Sequence, residues 1–588
     1  MNNYNKIKRL EKAAIQWFIG FFTFMAVAIL PSCSDFLNID RYFDDELKLD
    51  SVFSNKRYVE SYMWGAAALF PDEGNFYCDN YTPGPIATDE SFCTYTNEQF
   101  NGMAFVQGLI TPDKYNQINT WGNMYKIIRK CNTILSRIDE AEDLLPSERL
   151  RILSYTRFIR AYAYYEILVD FGPPVLLSDN VLETNEVIEY YDRPRSTYDE
   201  AVEYICNELE EASVYIPEKV SLISFGRPTK GAAYGLIARL RLLHASPLYN
   251  GGQAARTYFG NWKRKTDGAY YVSQTPDEKR WAIAAAAAKR VMDMDDAGAP
   301  MYKLYTVLAD NKTPALPAGV SDLDYYNDFP NGAAGIDPYR SYSEIFNGEA
   351  IASANPELVW GRMSAAINTM QKSYFPVLIG GWNRVCVTQK VVDAYRMRDG
   401  GTIEEPGPIY TYSENGFTSN IPTFSGYRFI NGEVFNMYVN REARFYASIG
   451  FSECFWPCSS ATTANDYNVT VTYYYDSSNG KSGATNPVDY PITGYVIKKY
   501  VNPVDAWSGT NARRMDKAFP IIRYAEILLS YAEALNNLTG SHTVTLGEHT
   551  QTLIRDEAEI KKAFNQVRYR VGWPGLSAEE LGNPQTVQ

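Results

Sequence analysis

Residues 520–537 read PIIRYAEILLSYAEALNN and carry the clearest structural signal in the 588-residue chain. The apolar residues of this segment recur at intervals of three and four, the spacing that places side chains along one face of an α-helix. That face consists of Ile521, Ala525, Leu528, Ala532 and Leu535. Because some of these residues are small, we expect the helix to pack closely against a second one. Residues 557–570 (EAEIKKAFNQVRYR) are predicted to form that second helix.

Helices of the same kind are predicted earlier in the chain. Residues 147–170 begin with a Ser147 cap and end at Gly172-Pro173-Pro174, a typical helix stop. Alanine-rich helices alternate with helices that start aromatic-x-x-Ala, as in Tyr198-Asp199-Glu200-Ala201, which is typical of tetratricopeptide units. The linkers are too long for a regular repeat, so we expect degenerate units with insertions. The predicted pairs are about 55–70 with 117–138, 147–170 with 197–214, 228–246 with 279–294, and 520–537 with 557–570.

Residues 296–518 have a different character from the predicted helices. This region is rich in Gly, Pro, Asn, Tyr and Thr, and its strand-like pieces at 469–475 and 495–500 are short. We therefore expect a loop-rich insertion of mostly irregular structure laid against a helical scaffold formed by residues 50–295 and 519–572.

The N-terminal residues predict a secretory signal. Four basic residues among positions 6–12 precede an apolar run over 13–30, and the chain turns polar after Cys33. Leu30-Pro31-Ser32-Cys33 resembles the lipobox of bacterial lipoproteins, in which the cysteine becomes the lipidated first residue, although Pro31 departs from the usual pattern. We expect removal of residues 1–32 and lipid attachment at Cys33. The alternatives are an uncleaved membrane anchor and a signal cut at another residue.

Composition and missing motifs exclude several functions. A net charge of −13 argues against nucleic acid as a partner, because nucleic-acid binding normally requires a basic patch. The three histidines lack ligand spacing, so no metal site is predicted. The chain contains no H-E-x-x-H, Walker, G-x-S-x-G or dinucleotide-binding motif, and we predict no cofactor and no catalytic residue. Cys454 and Cys458 either close a small loop or remain unlinked.

Aromatic residues are unusually frequent. The chain has 46 Tyr, 28 Phe and 10 Trp, which together make 14% of its residues. Tyrosine combines an apolar ring with a polar tip, which suits surfaces that meet sugars, peptides or partner proteins. Part of this content therefore predicts a binding surface, and the rest predicts packing between helices.

Eight short motifs follow one another along nearly the whole chain. They are Ser32-Cys33-Ser34-Asp35-Phe36-Leu37, Ala87-Thr88-Asp89-Glu90, Arg160-Ala161-Tyr162 with Phe171-Gly172-Pro173-Pro174, Asn355-Pro356-Glu357, residues 388–395, residues 440–446, residues 522–526 with 531–536, and Asn565-Gln566-Val567-Arg568. In this order they resemble the SusD family of surface glycan-binding lipoproteins of the Bacteroidota. The segment 440–446 has Glu442-Ala443 where the family usually has Asp-Pro.

The resemblance implies a mainly α fold. About four tetratricopeptide-like pairs would form a right-handed superhelical scaffold, with long irregular loops and a few short strands on the ligand face, in one domain over residues 33–588. The family usually continues into a further helix and an Arg-Trp-containing segment that this chain lacks before Gln588, so we expect a truncated C-terminus.

The resemblance also implies a function without catalysis. Family members form a lid on a SusC-like, TonB-dependent outer-membrane transporter and pass oligosaccharides to it, facing the cell exterior through their lipid anchor. Ligand loops vary within the family, so the candidate glycan-binding residues are loop aromatics and their polar neighbours. They are Phe76, Tyr77 and Tyr81 beside Asp89; Tyr325 and Tyr326 beside Asn327; and Trp382 with Asn383 and Arg384.

Two other functions stay open at the level of sequence. A tetratricopeptide-type surface lipoprotein that binds peptides or proteins for uptake would have the same helices. A glycoside hydrolase would need two carboxylates on either side of the scissile bond, and the many acidic residues of this chain nominate no such pair.

Overall fold

The computed structural model describes residues 50–75, 84–94, 101–111, 113, 120–419 and 433–587. The chain divides into two compact units, one formed by residues 1–62 and 137–144 and the other by residues 63–136 and 145–588. In the described part of the smaller unit, the Arg137 guanidinium lies 4.9 Å from the Phe53 ring centroid and contacts Asp50 at 2.6 Å. The Lys56 N–H donates to Asp143 Oδ1 at 2.8 Å, which ties the two segments of this unit together.

The described residues form helices for most of their regular structure. The α-helices, numbered in chain order, are α1 (Lys56–Ala67), α2 (Asn101–Val106), α3 (Trp121–Arg137), α4 (Pro146–Phe171), α5 (Ile188–Tyr191), α6 (Tyr198–Ser213), α7 (Lys230–Ala245), α8 (Gln253–Phe259), α9 (Lys279–Met292), α10 (Pro338–Asn347), α11 (Ala365–Tyr374), α12 (Gln389–Ala394), α13 (Ala443–Ser448), α14 (Tyr524–Asn536), α15 (Glu557–Arg570), α16 (Ala578–Gly582) and α17 (Pro584–Val587).

The strands are short, and all the pairs between them are antiparallel. They are β1 (Ser91–Cys93), β2 (Asp295–Asp296), β3 (Ala299–Pro300), β4 (Leu358–Met363), β5 (Val385–Val387), β6 (Phe417–Thr418), β7 (Val434–Phe435), β8 (Ile449–Gly450), β9 (Cys454–Trp456), β10 (Val469–Val471), β11 (Val496–Ile497), β12 (Ala518–Arg523), β13 (His542–Leu546) and β14 (His549–Leu553). One sheet has four strands in the order β1-β5-β11-β8. The others are two-stranded: β10-β9, β12-β4, β13-β14, β2-β3 and β6-β7.

The large unit contains a continuous series of packed helices. α4 packs on α6, α6 on α7, α7 on α9, α9 on α14, and α14 on α15. Three of the four predicted pairs are therefore confirmed, and so is the prediction of a mainly helical chain with a few short strands. The pair predicted between residues 55–70 and 117–138 stays a prediction.

Small residues allow these helices to approach closely. Residues 284–288 of α9 are consecutive buried alanines, and α7 buries Gly235 and Ala238. An added Cβ at Gly235 would lie 3.2 Å from side-chain carbons of Val359 and Ile522, so this helix also packs tightly against β4 and β12. The alanine stripes seen in the sequence are thus the contact surfaces of the scaffold.

Charged side chains inside the scaffold occur in pairs. Arg160, which is 1% exposed, contacts Glu208 at 2.6 Å between α4 and α6. Arg239 of α7 donates to Glu526 of α14 at 2.7 Å. Each pair offsets the cost of removing a charge from water, because the partner charge and its hydrogen bonds replace the lost hydration.

Two sequence predictions about helix ends are wrong. The helix predicted over 520–537 begins only at Tyr524, because residues 518–523 form β12 and pair with β4. The Ile521 and Ile522 side chains thus belong to a strand, which suits β-branched residues. The predicted cap at Ser147 is also wrong, since α4 begins at Pro146 with Leu145 as its N-cap residue. Proline suits the first helical position because its missing N–H has no helical partner there.

The loop-rich region has its own core, which the sequence did not predict. Phe375 and Trp456 meet at 4.9 Å between ring centroids, and Phe445 and Phe451 at 5.3 Å. These rings belong to one cluster of buried residues that also takes in Ile86 of the first long loop. The predicted strand-like pieces are confirmed in part, since β10 covers residues 469–471 of 469–475 and β11 covers residues 496–497 of 495–500. Cys454 and Cys458 are free and buried, so they do not close a loop.

Candidate functional site

Four backbone hydrogen bonds tie residues 381–384, at the end of the loop between α11 and β5, to residues 372–376. Trp382 N–H donates to Lys372 O at 2.9 Å, Asn383 N–H to Phe375 O at 3.1 Å, and Arg384 N–H to Ser373 O at 2.6 Å. The fourth bond runs from Gly381 N–H to Pro376 O at 2.8 Å. This network fixes Trp382 beside the end of α11.

Two glycines make this close folding possible. Gly380 has a φ of +89°, a conformation that residues with a Cβ rarely adopt, and an added Cβ would lie 2.9 Å from the backbone of Trp507. At Gly381 an added Cβ would lie 1.9 Å from Phe375 O. The Gly380-Gly381 pair therefore brings Trp382 and Trp507 into one neighbourhood.

Two other segments hold this loop in place. Thr94, just after β1, donates its N–H to Arg384 O at 3.0 Å and its hydroxyl to Val488 O at 2.7 Å. The side chain of Asn479 accepts from the Leu378 N–H at 3.0 Å. The loop is thus part of a rigid frame, which is what a preorganised binding surface requires.

The side chains on this frame form an alternating series of cations and indole rings, here called the Trp382–Trp507 array. The Arg384 guanidinium lies 4.1 Å from the Trp382 centroid. The Lys372 ammonium lies 4.7 Å from the Trp382 centroid and 5.5 Å from that of Trp507. The Arg514 guanidinium lies 4.4 Å from the Trp507 centroid. Both indoles are half-buried, so each keeps part of its surface in solvent.

A buried hydrogen-bond chain orients the Trp507 ring. Its Nε1–H donates to Gln371 Oε1 at 2.9 Å, and Gln371 Nε2 donates to Asp505 Oδ2 at 2.6 Å. Asp505 in turn contacts Lys517 Nζ at 2.8 Å, and both of those side chains are completely buried. Because each side chain in this series from Trp507 to Lys517 has a hydrogen-bond or ion-pair partner, the indole is held in one orientation.

The structure places the predicted site residues in different surroundings. Asp89 is exposed and forms an ion pair with Lys390, whose hydrogen bond holds the pKa of that carboxyl below its usual range. It lies at one end of the β1–β5 pair, whereas Thr94 and Arg384 lie at the other. Asn383 is fully buried and donates to Asn479 at 3.3 Å, so it supports the loop from inside.

The predicted group at 325–327 lies on another loop. Tyr325 is 0% exposed and donates its hydroxyl to Gly572 O at 2.8 Å, and burial raises its pKa. Tyr326 is 46% exposed and donates to Pro317 O at 3.0 Å, while Asn327 donates to Asp324 at 3.4 Å. Within the described residues no hydrogen bond or ring contact joins this loop to Trp382. Phe76, Tyr77, Tyr81 and Cys33 lie outside the described residues.

Sequence reasoning missed three members of the array: Lys372, Trp507 and Arg514. Trp507 lies in a polar loop segment, and the sequence contains no signal that connects it with Trp382. Gly380-Gly381 before Trp382 was the available sign of a tight approach. Across the described ranges, no cluster of His, Cys, Asp and Glu has metal-ligand geometry, and no helix there combines the length and apolarity needed to cross a membrane.

Solved structures show which class of fold this is. A SusD-like protein from Bacteroides fragilis is 22% identical, with a TM-score of 0.60, and the match covers 92% of this chain and 82% of that one. A SusD-like carbohydrate-binding protein from the same species is 16% identical, with a TM-score of 0.56 and coverage of 91% and 84%. The helices and short strands described above thus form the fold of SusD-like proteins.

Sequence comparisons identify the family. A model described as "Starch-binding associating with outer membrane" matches residues 35–242, and one described as "SusD family" matches residues 356–588. The chain belongs to the SusD family. A SusD-like protein of Bacteroides ovatus is 26% identical over 155 residues, so the aligned part spans 26% of this chain and 27% of that relative.

Proposed function

We propose that this protein is a non-catalytic glycan-binding lipoprotein of the outer membrane. It captures oligosaccharides or polysaccharides and delivers them to a SusC-like, TonB-dependent transporter. The observation that carries the proposal is the Trp382–Trp507 array, in which two half-buried indoles on a hydrogen-bonded loop frame share the Lys372 ammonium.

The geometry of the array suits glycan capture for three reasons. Indole rings supply apolar area at low entropic cost, since few bonds must be fixed. Nearby cations supply hydrogen-bond donors for hydroxyl or acidic oxygens. The frame is already ordered by backbone bonds, so less freedom is lost when a ligand binds.

Glycan capture requires no acid or base chemistry. Asp489, the carboxylate that contacts the array, is bound to Arg384 at 2.7 Å. Glycoside hydrolysis would need a second carboxylate on the other side of the scissile bond, whereas glycan binding needs none. The carbohydrate binding stated for the relative from Bacteroides fragilis and the description of the N-terminal family model support the same role.

The binding proposal is tested by affinity electrophoresis against a panel of plant, algal and host polysaccharides, followed by calorimetry with the retarding glycan. We expect Trp382→Ala and Trp507→Ala each to weaken binding about tenfold, the equivalent of roughly one lost aromatic contact. Tyr258→Ala is the matched control, because Tyr258 is an exposed aromatic outside the array. Retardation that both tryptophan variants retain would place the ligand elsewhere, and binding of peptides with no glycan would replace the proposal.

The anchor and the partner are tested separately. Cys33→Ala is expected to abolish labelling by palmitate and release the protein from membranes; labelling that persists would contradict Cys33 as the attachment residue. Co-purification with a TonB-dependent transporter from detergent-solubilised membranes is expected for the wild-type protein. If no such transporter co-purifies after cross-linking, the delivery role fails while glycan capture stands.

A further inference from the structure

We infer that the glycan bound by the Trp382–Trp507 array is acidic, bearing carboxylate or sulfate groups. This inference rests on the proposed glycan binding and names the chemical class of the ligand at that site. It is carried by the charge of the array and by the position of its cations over the indole rings.

Two cations of the array lack a carboxylate partner. In the part of the chain that the structure describes, no Asp or Glu oxygen lies within ion-pair distance of Lys372 Nζ or of the Arg514 guanidinium. Arg384, by contrast, is bound to Asp489. Lys372 is half-buried and Arg514 is exposed, so both cations are open to a ligand. Lys372 and Arg514 thus leave the array with uncompensated positive charge.

Two carboxylates close to Trp507 in the sequence or in space, Asp505 and Asp466, have other partners. Asp505 is buried against Lys517 and also accepts from Gln371. Asp466 accepts from the Ser508 hydroxyl at 2.5 Å. The Ser508 hydroxyl does not neutralise Asp466, but no ion pair joins Asp466 or Asp505 to Lys372 or Arg514, so an acidic ligand would not have to displace either carboxylate.

The position of the cations favours an acidic ligand over a neutral one. Lys372 and Arg384 both lie within 5 Å of the Trp382 centroid, as Arg514 does for Trp507. A neutral sugar that stacks on these rings has to displace cations already attracted to them. A carboxylate or sulfate on the sugar instead attracts the same cations, and the sugar ring gains access as they turn toward it.

The negative net charge of the whole protein confines attraction of acidic polymers to the positively charged array. With a net charge of −13, the protein repels polyanions over most of its surface. Attraction of an acidic polymer therefore has to come from a local patch, and such attraction between exposed charges weakens as salt is added. Salt dependence is thus a readout that stacking alone would not produce.

The experiment uses pairs of polymers that differ only in charge: polygalacturonate with its methyl ester, and a sulfated galactan with its desulfated form. Binding is measured by calorimetry on the mature, lipid-free chain at low and high salt. We expect at least one acidic member to bind about tenfold more tightly than its neutral counterpart at low salt, and the preference to shrink at high salt. The two pairs distinguish carboxylate from sulfate as the recognised group.

The variants separate charge from folding. Lys372→Met and Arg514→Met keep the apolar stems and are each expected to reduce the preference for the acidic member about fivefold, while Lys372→Arg retains it. Lys265→Met is the control, because Lys265 is exposed and outside the array. Thermal unfolding of each variant verifies that the fold is intact.

Every result has a definite reading. If a neutral polymer binds as tightly as its acidic partner, or if Lys372→Met keeps the full preference, the inference is overturned while the proposed glycan binding survives. If no polymer in the pairs or in the wider panel binds, the proposed function fails and the inference fails with it.

Discussion

The helical scaffold and the loop-rich region have interiors built from different residues, small ones in the scaffold and large aromatic ones in the loop-rich region. In the scaffold, α4, α6, α7, α9, α14 and α15 follow one another in space and nearly in sequence, and alanine stripes with buried Arg–Glu pairs join them. In residues 296–518, short strands and loops surround a cluster of large aromatic rings. The candidate site lies in the second region, where the loop at 380–384 is held by the end of α11 and by the core of this region instead of by the scaffold helices.

The difference explains how function varies on a constant scaffold. Helix packing depends on small residues at fixed spacing, which leaves little freedom for change. A loop frame depends on a few backbone hydrogen bonds, such as those around Gly380. The exposed side chains of the loop can change without altering these bonds. We therefore expect stability to be concentrated in the scaffold and binding in the loops, and four substitutions test that division.

The largest effect is expected from Glu208→Ala in the scaffold. This change removes the buried carboxylate that pairs with Arg160 and leaves the guanidinium only the exposed Asp179 carboxylate at 2.7 Å, so the unfolding free energy should fall by about 3 kcal/mol. Urea unfolding followed by circular dichroism measures the loss. Glu211→Ala on the same helix removes a side chain that is 60% exposed and should change stability by less than about 0.5 kcal/mol. Equal losses in the two variants would contradict a special role for the buried pair.

A smaller effect is expected from Gly380→Ala in the loop region. The new Cβ would lie against the Trp507 backbone, and alanine would have to adopt the positive φ that glycine adopts here. We therefore expect the unfolding free energy to fall by about 2 kcal/mol and glycan binding to weaken. Gly494 has a φ of +77° and open space around it, so Gly494→Ala should lower the unfolding free energy by only about 1 kcal/mol and leave glycan binding unchanged. Unfolding curves and calorimetry are the measurements. Identical behaviour of the two variants would mean that the close approach to Trp507 has no role.

Thr197→Ala is expected to lower the unfolding free energy by about 1 kcal/mol without any effect on glycan binding. The Thr197 hydroxyl accepts from the Glu200 N–H at 3.1 Å, and the Thr197 N–H donates to the Glu200 carboxylate at 2.8 Å; the change removes the first of these two bonds at the start of α6. Thermal unfolding measures the loss. Thr257→Ala, at an exposed position within α8, is the control and should have little effect. A loss of glycan affinity in Thr197→Ala would contradict the division between scaffold and loops.

The smallest effect on global stability is expected at Glu278. Its carboxylate accepts from the Thr539 hydroxyl and from the Thr539 and Gly540 N–H groups, the latter both at 2.8 Å, and these bonds lower its pKa to about 2. Glu278→Ala should speed hydrogen exchange at those two amides, while amides within α9 stay protected. In the wild type the bonds contribute fully above the ordinary pKa near 4.5 and are lost only as the pH falls toward 2. Loss of protection already at pH 5 would contradict this account.

The helices could be predicted because their signals are local. Residues 557–570 match the predicted helix, and the ends of α6, α7 and α9 differ from prediction by at most two residues. The prediction failed at residues 520–523, where a partner strand at 358–363 overrides a helical apolar pattern. The same limit applies to the site: Trp382 and Arg384 were predicted from their own loop, whereas Tyr325 looked equally suitable and is fully buried.

The sequence by itself determined the mainly helical fold and the membership in the SusD family, and it nominated the loop at 382–384, whose role in glycan binding stays a prediction. These features depend on residues within a few positions of one another, which share a helix face or a motif. Only the tertiary structure decided that Lys372, Trp507 and Arg514 join that loop. Gln371 and Trp507 are 136 positions apart, and their contact exists because the aromatic core closes the chain around them. Contacts of this kind depend on the packing of the whole region, and no local pattern encodes them.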